Sequence, residues 1–237
     1  MRLENLNVDS LDPHRLAAFW AATLDAETVT AEEDLVEIRV TLPEGRFLDL
    51  CFERVPDPSP AKSRVHPDLT GGARQHEVVD GLLGLGATPA DIGQGDPPWV
   101  VLADPEGNAF CVMDDREAYR GTGVLASLVL EGTDPARDAD FWAVATGWER
   151  VEGVAPASLR HPSGTGPLLE FLPESDPKRG KNRMHLDVRP GPDDGPVASR
   201  LKAAGAQLLV DHPDWPWSTW ADPSGNEFCI LSPSRDA

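Results

Sequence analysis

Two short polar rows hold the residue types best suited to chemistry. The first is Lys62, Arg64, His66 and Asp68; the second is Lys181, Arg183, His185 and Asp187, 119 residues further on. In an extended strand alternate residues share a face, so the Arg, His and Asp of each row project together. His66 or His185 beside a carboxylate can serve as a general acid or base, or as a metal ligand whose tautomer the carboxylate fixes. Arg64 and Arg183 can bind an anionic oxygen of a substrate. The same row can equally be a ladder that only ties two modules together. Both readings stand.

A second group surrounds these rows. Glu227 lies two residues before Cys229 and shares its face, where the first half has Ala109. A carboxylate present in one half only points to two diverged sites with the second active; a surface glutamate at a strand end is the plainer alternative. Trp99 matches Trp217, and the stretch Asp214-Trp215-Pro216-Trp217 places aromatic rings on a proline-stiffened loop. Trp99, Trp215 and Trp217 can line a pocket for a flat ligand or plug it. Trp20, Trp142 and Trp220 read as core. Lys178 and Arg179 read as a solvated loop.

Strands, helices and turns must position these groups. Leu3–Val8 reads as a strand. Asp12-Pro13 caps a helix running to Leu24, because Asp accepts from first-turn amides and Pro suits the first helical position. Strand patterns follow at Leu35–Leu42, Phe47–Val55 and Arg64–Leu69. A helix spans Gln75–Leu85 and stops at Gly86, and strands Trp99–Ala103 and Asn108–Met113 flank a turn at Asp104-Pro105-Glu106-Gly107. The second half repeats this order, with strands at 125–130, 157–160, 168–172, 183–189, 218–221 and 227–231, and helices at 135–146 and 196–204.

The repetition extends to single residues. Phe19-Trp20 returns as Phe141-Trp142, Gly86-Ala87 as Gly205-Ala206, and Asp104-Pro105-Glu106-Gly107-Asn108 as Asp222-Pro223-Ser224-Gly225-Asn226. The period is too long for a short-repeat solenoid and marks two domains, 1–120 and 121–237. The fold class is α+β, built from four βαβββ modules with antiparallel-rich sheets.

Composition narrows the function. The formal charge is -19, from 40 acidic and 21 basic residues, and it disfavours nucleic acid and anionic membranes as partners. The three cysteines, Cys51, Cys111 and Cys229, form no disulfide framework. With no leader pattern and no apolar membrane stretch, a cytoplasmic protein with reduced thiols is expected. Walker, dinucleotide and Ser-His-Asp signatures are missing from the sequence.

The twice-met pattern of Asp-Pro, Phe-Trp, Lys-x-Arg-x-His-x-Asp, Gly-Ala and Ala-Asp-Pro-x-Gly-Asn-x-Phe-Cys resembles the vicinal oxygen chelate superfamily, in its glyoxalase-like branch. This is the group of glyoxalase I, bleomycin- and fosfomycin-resistance proteins and extradiol dioxygenases. The resemblance implies paired modules curled into two cups, each able to hold a divalent metal. Carried over, the first-strand ligand positions are Asn5, His66, Ser127 and His185, and the last-strand positions are Cys51, Cys111, Glu170 and Cys229. The best ligands among them are His66, His185, Glu170, Cys111 and Cys229, for zinc, iron, manganese or nickel. Cysteines stand where the family's final glutamate is usual, which favours no metal at all. Modules paired within a half would group Ser127, Glu170, His185 and Cys229; pairing across halves would reshuffle the sets. Two function classes follow: a lyase or isomerase acting on a small molecule around His185 or His66, or a metal-free drug-binding protein of bleomycin-resistance type. Either fits a monomer or a homodimer.

Overall fold

The computed structural model describes residues 1–233. Each module is a strand, a helix and three strands. The first comprises β1 (Arg2–Ser10), α1 (Pro13–Leu24), β2 (Glu27–Ala31), β3 (Leu35–Thr41) and β4 (Phe47–Arg54). The second comprises β5 (Val65–Thr70), α2 (Gln75–Leu85), β6 (Thr88–Pro89), β7 (Val100–Ala103) and β8 (Ala109–Met113). The third comprises β9 (Leu125–Gly132), α3 (Pro135–Thr146), β10 (Glu149–Val151), β11 (Ala157–Arg160) and β12 (Leu168–Pro173). The fourth comprises β13 (Met184–Arg189), α4 (Val197–Ala203), β14 (Gln207–Asp211), β15 (Trp217–Ala221) and β16 (Glu227–Leu231).

The strands form two eight-stranded mixed sheets, and each sheet takes one module from each half. Sheet A runs β14-β15-β16-β13-β1-β4-β3-β2, and sheet B runs β10-β11-β12-β9-β5-β8-β7-β6. Modules therefore pair first with fourth and second with third. The seam of sheet A is the antiparallel pair β1–β13, where Asn7 faces His185 and Asn5 faces Asp187. The seam of sheet B is β5–β9, where Asp68 faces Ser127 and His66 faces Val129.

Alternation along the strands explains the layering. On β1, Leu6 and Val8 enter the core, while Asn5 and Asn7 turn toward the concave side. The apolar faces of both sheets and of the helices join one continuous core, which includes Phe52, Phe110, Phe171 and Phe228. Trp20 and Trp142 lie within it, edge-on to Phe110 and Phe228 at 5.2 and 5.5 Å. Trp220 is also core.

Helix termini follow the sequence signals closely. Asp12 and Asp134 accept from the amides of Arg15 and Arg137, each with Pro at the first helical position. Such a cap contributes about 1 kcal/mol. In every module the strand just after the helix is an edge or near-edge strand, and β2, β6, β10 and β14 are almost wholly exposed. Their sequences carry no buried stripe, so alternation does not announce them.

Other contacts run between modules of the same half. The turn between β7 and β8 reaches back to α1: Glu106 accepts from Ser10 Oγ and from the amides of Leu11 and Asp12. Ser224, the equivalent residue of the fourth module, bonds Asp138 and the Thr133 amide. Ion pairs then cross the halves in matching places. Lys62 meets Glu131 at 2.5 Å, and Lys181 meets Asp9 at 2.6 Å.

Candidate functional site

The concave face of sheet A is an open cavity of about 1320 Å³. Its floor is the β1–β13 seam with β4 and β16 on either side. Asn5, Asn7, Cys51, His185, Asp187 and Cys229 line it, and Trp215 and Trp217 stand at one edge.

Three donor atoms converge at the floor. His185 Nε2 lies 3.4 Å from Asp187 Oδ1 and 3.6 Å from Cys229 Sγ. Asn5 Nδ2 donates to the other Asp187 oxygen at 3.3 Å. Both neighbours address the same imidazole nitrogen, and His185 Nδ1 is buried without a hydrogen-bond partner among the described residues. In a nucleophile–His–carboxylate relay the carboxylate would hold the far nitrogen. The arrangement here is instead one of ligands aimed at a common point. Asp187 Oδ1 and Asn5 Oδ1 are also buried without hydrogen-bond partners.

Burial sets the protonation of the cluster. It pushes the His185 imidazole down to about 3, with Lys181 adding to the effect, and the Asp187 carboxyl up to about 7. The pair is therefore driven toward two neutral groups and is not an ion pair. Burial, then the nearby Asp187, raises the Cys229 thiol to about 12. Across the floor, Cys51 donates to Glu37 Oε1 at 3.5 Å, as Cys229 contacts Thr219 Oγ1 at 3.7 Å.

An N, O and S donor set of this kind suits zinc or iron. The ligand atoms of His185, Asp187 and Cys229 all lie within 4.8 Å of one another, and one of them is an unpartnered carboxylate oxygen, so the residues fit a divalent metal.

Sheet B carries the same trio, His66, Asp68 and Cys111, in a different setting. Tyr119, the single tyrosine of the chain, lies over this face and is buried with Cys111, Met113, Ala126 and Leu168. Its hydroxyl donates to Glu170 Oε2 at 3.0 Å, and the other Glu170 oxygen accepts from the Val154 amide at 3.2 Å. Burial lowers the His66 imidazole against an opposing pull from Asp68, and raises the Asp68 carboxyl to about 6.

The structure thus divides the residues singled out by sequence. His185, Cys229, Glu227, Trp215 and Trp217 line the sheet A cavity. His66, Cys111 and Glu170 belong to sheet B, so Glu170 is on a different sheet from His185. Glu227 is bound by Lys178 Nζ at 2.6 Å and by the Asn182 amide at 3.2 Å, and Lys178 is therefore part of the fold rather than a solvated loop. Trp99 packs beside the Tyr119 cluster and donates to Gln94 Oε1 at 2.8 Å.

The two arginines leave their rows. Arg64 bonds the carbonyls of Asp176 and Ser224, and Arg183 bonds Glu106 through its carbonyl and carboxylate. Each clamps a turn of the other half, and neither lines the cavity. The sequence pattern read Asp187 as the carboxylate that fixes the His185 tautomer rather than as a ligand, and it passed over Asn7, although Asn7 is two positions from Asn5 and shares its face. Glu37 and Tyr119 carried no such signal.

The glyoxalase-like domain model matches residues 5–113 and again 127–231. The chain belongs to that family. Its fold is similar to glyoxalase I from Zea mays, with a TM-score of 0.65 and 13% identity over 98% of this chain and 92% of that one. It is also similar to a putative dioxygenase from Bacillus subtilis, with a TM-score of 0.63 and 12% identity over 98% and 85% of the two chains. The sequence matches no curated protein. Among the described residues no helix is long and apolar enough to cross a membrane.

Proposed function

We propose that this chain is a small-molecule enzyme of lyase or isomerase type whose active site is the sheet A cup. The convergence of His185 Nε2, Asp187 Oδ1 and Cys229 Sγ on one point of the cavity floor carries this reading. These three residues would hold a divalent metal, which when bound polarises a carbonyl or enediolate oxygen. Asn5 orients Asp187 through its amide N–H. Glu37, which has no ion-pair partner within reach among the described residues, lines the same floor and is the group to accept a proton from substrate. His66, Asp68 and Cys111 have a scaffold role, because Tyr119 packs against Cys111 and engages Glu170 beside them.

The test pairs metal analysis with turnover. Untagged protein is analysed for metal before and after chelator, then assayed on aldehyde–thiol adducts and catechols beside His185→Ala and Cys229→Ser. Metal near one equivalent per chain, lost in both variants together with turnover, supports the proposal. Normal metal content and turnover in His185→Ala would sink it. A second reading, capture without turnover, draws on the half-exposed Trp215 and Trp217 at the cavity edge. It predicts ligand binding that chelator leaves unchanged.

A further inference from the structure

The two sheets carry the same His-Asp-Cys trio in the same register but surround it with different neighbours. In sheet A, Asn7 stands opposite His185, Asn5 opposite Asp187 and Thr219 opposite Cys229. In sheet B the corresponding places hold Val129 opposite His66, Ser127 opposite Asp68 and Val101 opposite Cys111. Ser127 still reaches its carboxylate, with Oγ 3.5 Å from Asp68 Oδ2. Where sheet A has Asn7 and Thr219, sheet B has valines, whose side chains neither donate nor accept a hydrogen bond.

Each polar neighbour in sheet A answers a need of the ligand it faces. Asn5 already holds Asp187 through its amide N–H at 3.3 Å. Thr219 Oγ1 lies 3.7 Å from Cys229 Sγ. Cysteine binds metal as the thiolate, and a thiolate buried at this floor needs a donor, which the hydroxyl supplies. A histidine that binds metal through Nε2 carries its ring proton on Nδ1, and that N–H needs an acceptor. His185 Nδ1 and Asn7 Oδ1 are both buried without hydrogen-bond partners among the described residues. They belong to residues directly opposed across the antiparallel β1–β13 seam, a relation that sets Cβ atoms about 4.5–5.5 Å apart. Both residues line the cup, so both side chains lie on one face of the sheet.

Resting on the reading that the sheet A trio holds a divalent metal, we propose that Asn7 and Thr219 are the positioning residues that set this trio apart from its copy in sheet B. Asn7 Oδ1 accepts the His185 Nδ1–H, by a turn of the carboxamide or through one shared water, and so fixes the tautomer that leaves Nε2 free to bind. The Thr219 hydroxyl donates to the Cys229 sulfur and steadies it as a thiolate. The sheet B trio has the same ligand atoms within the same reach of one another, but Val129 and Val101 give it neither support. It binds the metal more weakly for that reason.

Cobalt(II) titration of the full chain tests this, read by sulfur-to-cobalt charge-transfer absorption and by competition with a chelator. Wild-type protein should take up one equivalent tightly and lose it in Cys229→Ser. Asn7→Val and Thr219→Val, which write the sheet B residues into sheet A, should each weaken uptake about tenfold or more. Thr219→Val should also shift the charge-transfer band, and Thr219→Ser, which keeps the hydroxyl, should restore band and affinity. Nitrogen-15 spectra of the metal-free protein should place the His185 proton on Nδ1 in wild type and show that preference lost in Asn7→Val. A merely structural role would instead lower the Tm of the metal-free protein and leave affinity, band and tautomer as they are. Tight uptake by wild type that both valine variants retain overturns the inference and leaves the metal reading standing. No uptake by wild type overturns the metal reading, and this inference with it. Uptake lost in Cys111→Ser but kept in Cys229→Ser would put the metal in sheet B and overturn both.

Discussion

Trp142 donates its indole N–H to Asp222 at 3.2 Å, joining the helix of the third module to the last turn of the fourth. Trp20 makes the same bond to Asp104 at 3.2 Å, between the first and second modules. Each half is thus locked internally by a tryptophan–aspartate contact, while the sheets lock the halves to each other.

That contact gives a pH signature. Burial raises the Asp222 carboxyl to about 6, against which the Asn226 and Trp142 hydrogen bonds act. A carboxyl with a raised folded pKa binds its proton more readily in the folded state. Its contribution is fully present below about pH 4 and is lost as pH rises to about 6. The swing is about 3 kcal/mol. Asp222→Asn lacks it, so wild-type stability measured by denaturant should fall relative to the variant between pH 4 and 6, with a constant difference above. A constant difference throughout that window would show that Asp222 is not shifted.

Tyr119 packs on sheet B beside Cys111 and Leu168. Tyr119→Phe keeps the packing but leaves Glu170 Oε2 without its hydroxyl donor, at a cost of about 1–2 kcal/mol. Tyr119→Ala adds a cavity and should cost about 3–5 kcal/mol by denaturant unfolding. Equal losses in the two variants would mean that the ring contributes nothing beyond its hydroxyl.

Lys62 sits between Glu131 and Glu174, and Lys181 faces the buried Asp9. Lys62→Met strands a carboxylate that is only 6% exposed, though the lysine itself is largely solvated. A loss of about 1–2 kcal/mol is expected, smaller when Glu131→Gln is present. Additive effects in that double-mutant cycle would show the pair to be uncoupled.

Two glycines in unlike settings give opposite outcomes. A Cβ at Gly132 would collide with the Asp138 carboxylate and lie 2.5 Å from Ser224 Oγ, so Gly132→Ala should destabilise by about 1–3 kcal/mol. Gly81 lies inside α2 with nothing within 4 Å of a Cβ, and Gly81→Ala should stabilise by about 0.5–1 kcal/mol. Matching Tm shifts in the two variants would contradict the local geometry.

Local signals were legible where the chemistry is local. The Asp-Pro caps and Gly86 place α1, α2 and α3 at the observed bounds, because caps and left-handed glycines depend on neighbouring residues alone. The edge strands β2, β6, β10 and β14 were not legible, since their side chains are almost wholly exposed. Site membership was half legible. Alternation names His185 and Cys229, but whether Glu170 joins them depends on which modules share a sheet. That choice is made by the β1–β13 and β5–β9 seams, pairings between residues far apart in the chain.

Those seams also set a constraint on the order of synthesis. When residues 1–113 have left the ribosome, β1 and β5 have no partners across the seams and present open hydrogen-bonding edges. β9 follows soon and can cap β5, but β1 must wait until Met184–Arg189 is made. The nascent first half is thus obliged to keep one apolar-backed strand edge exposed for about seventy residues of translation. A stop codon in the middle of the gene would yield half of each of two sheets, and neither cup.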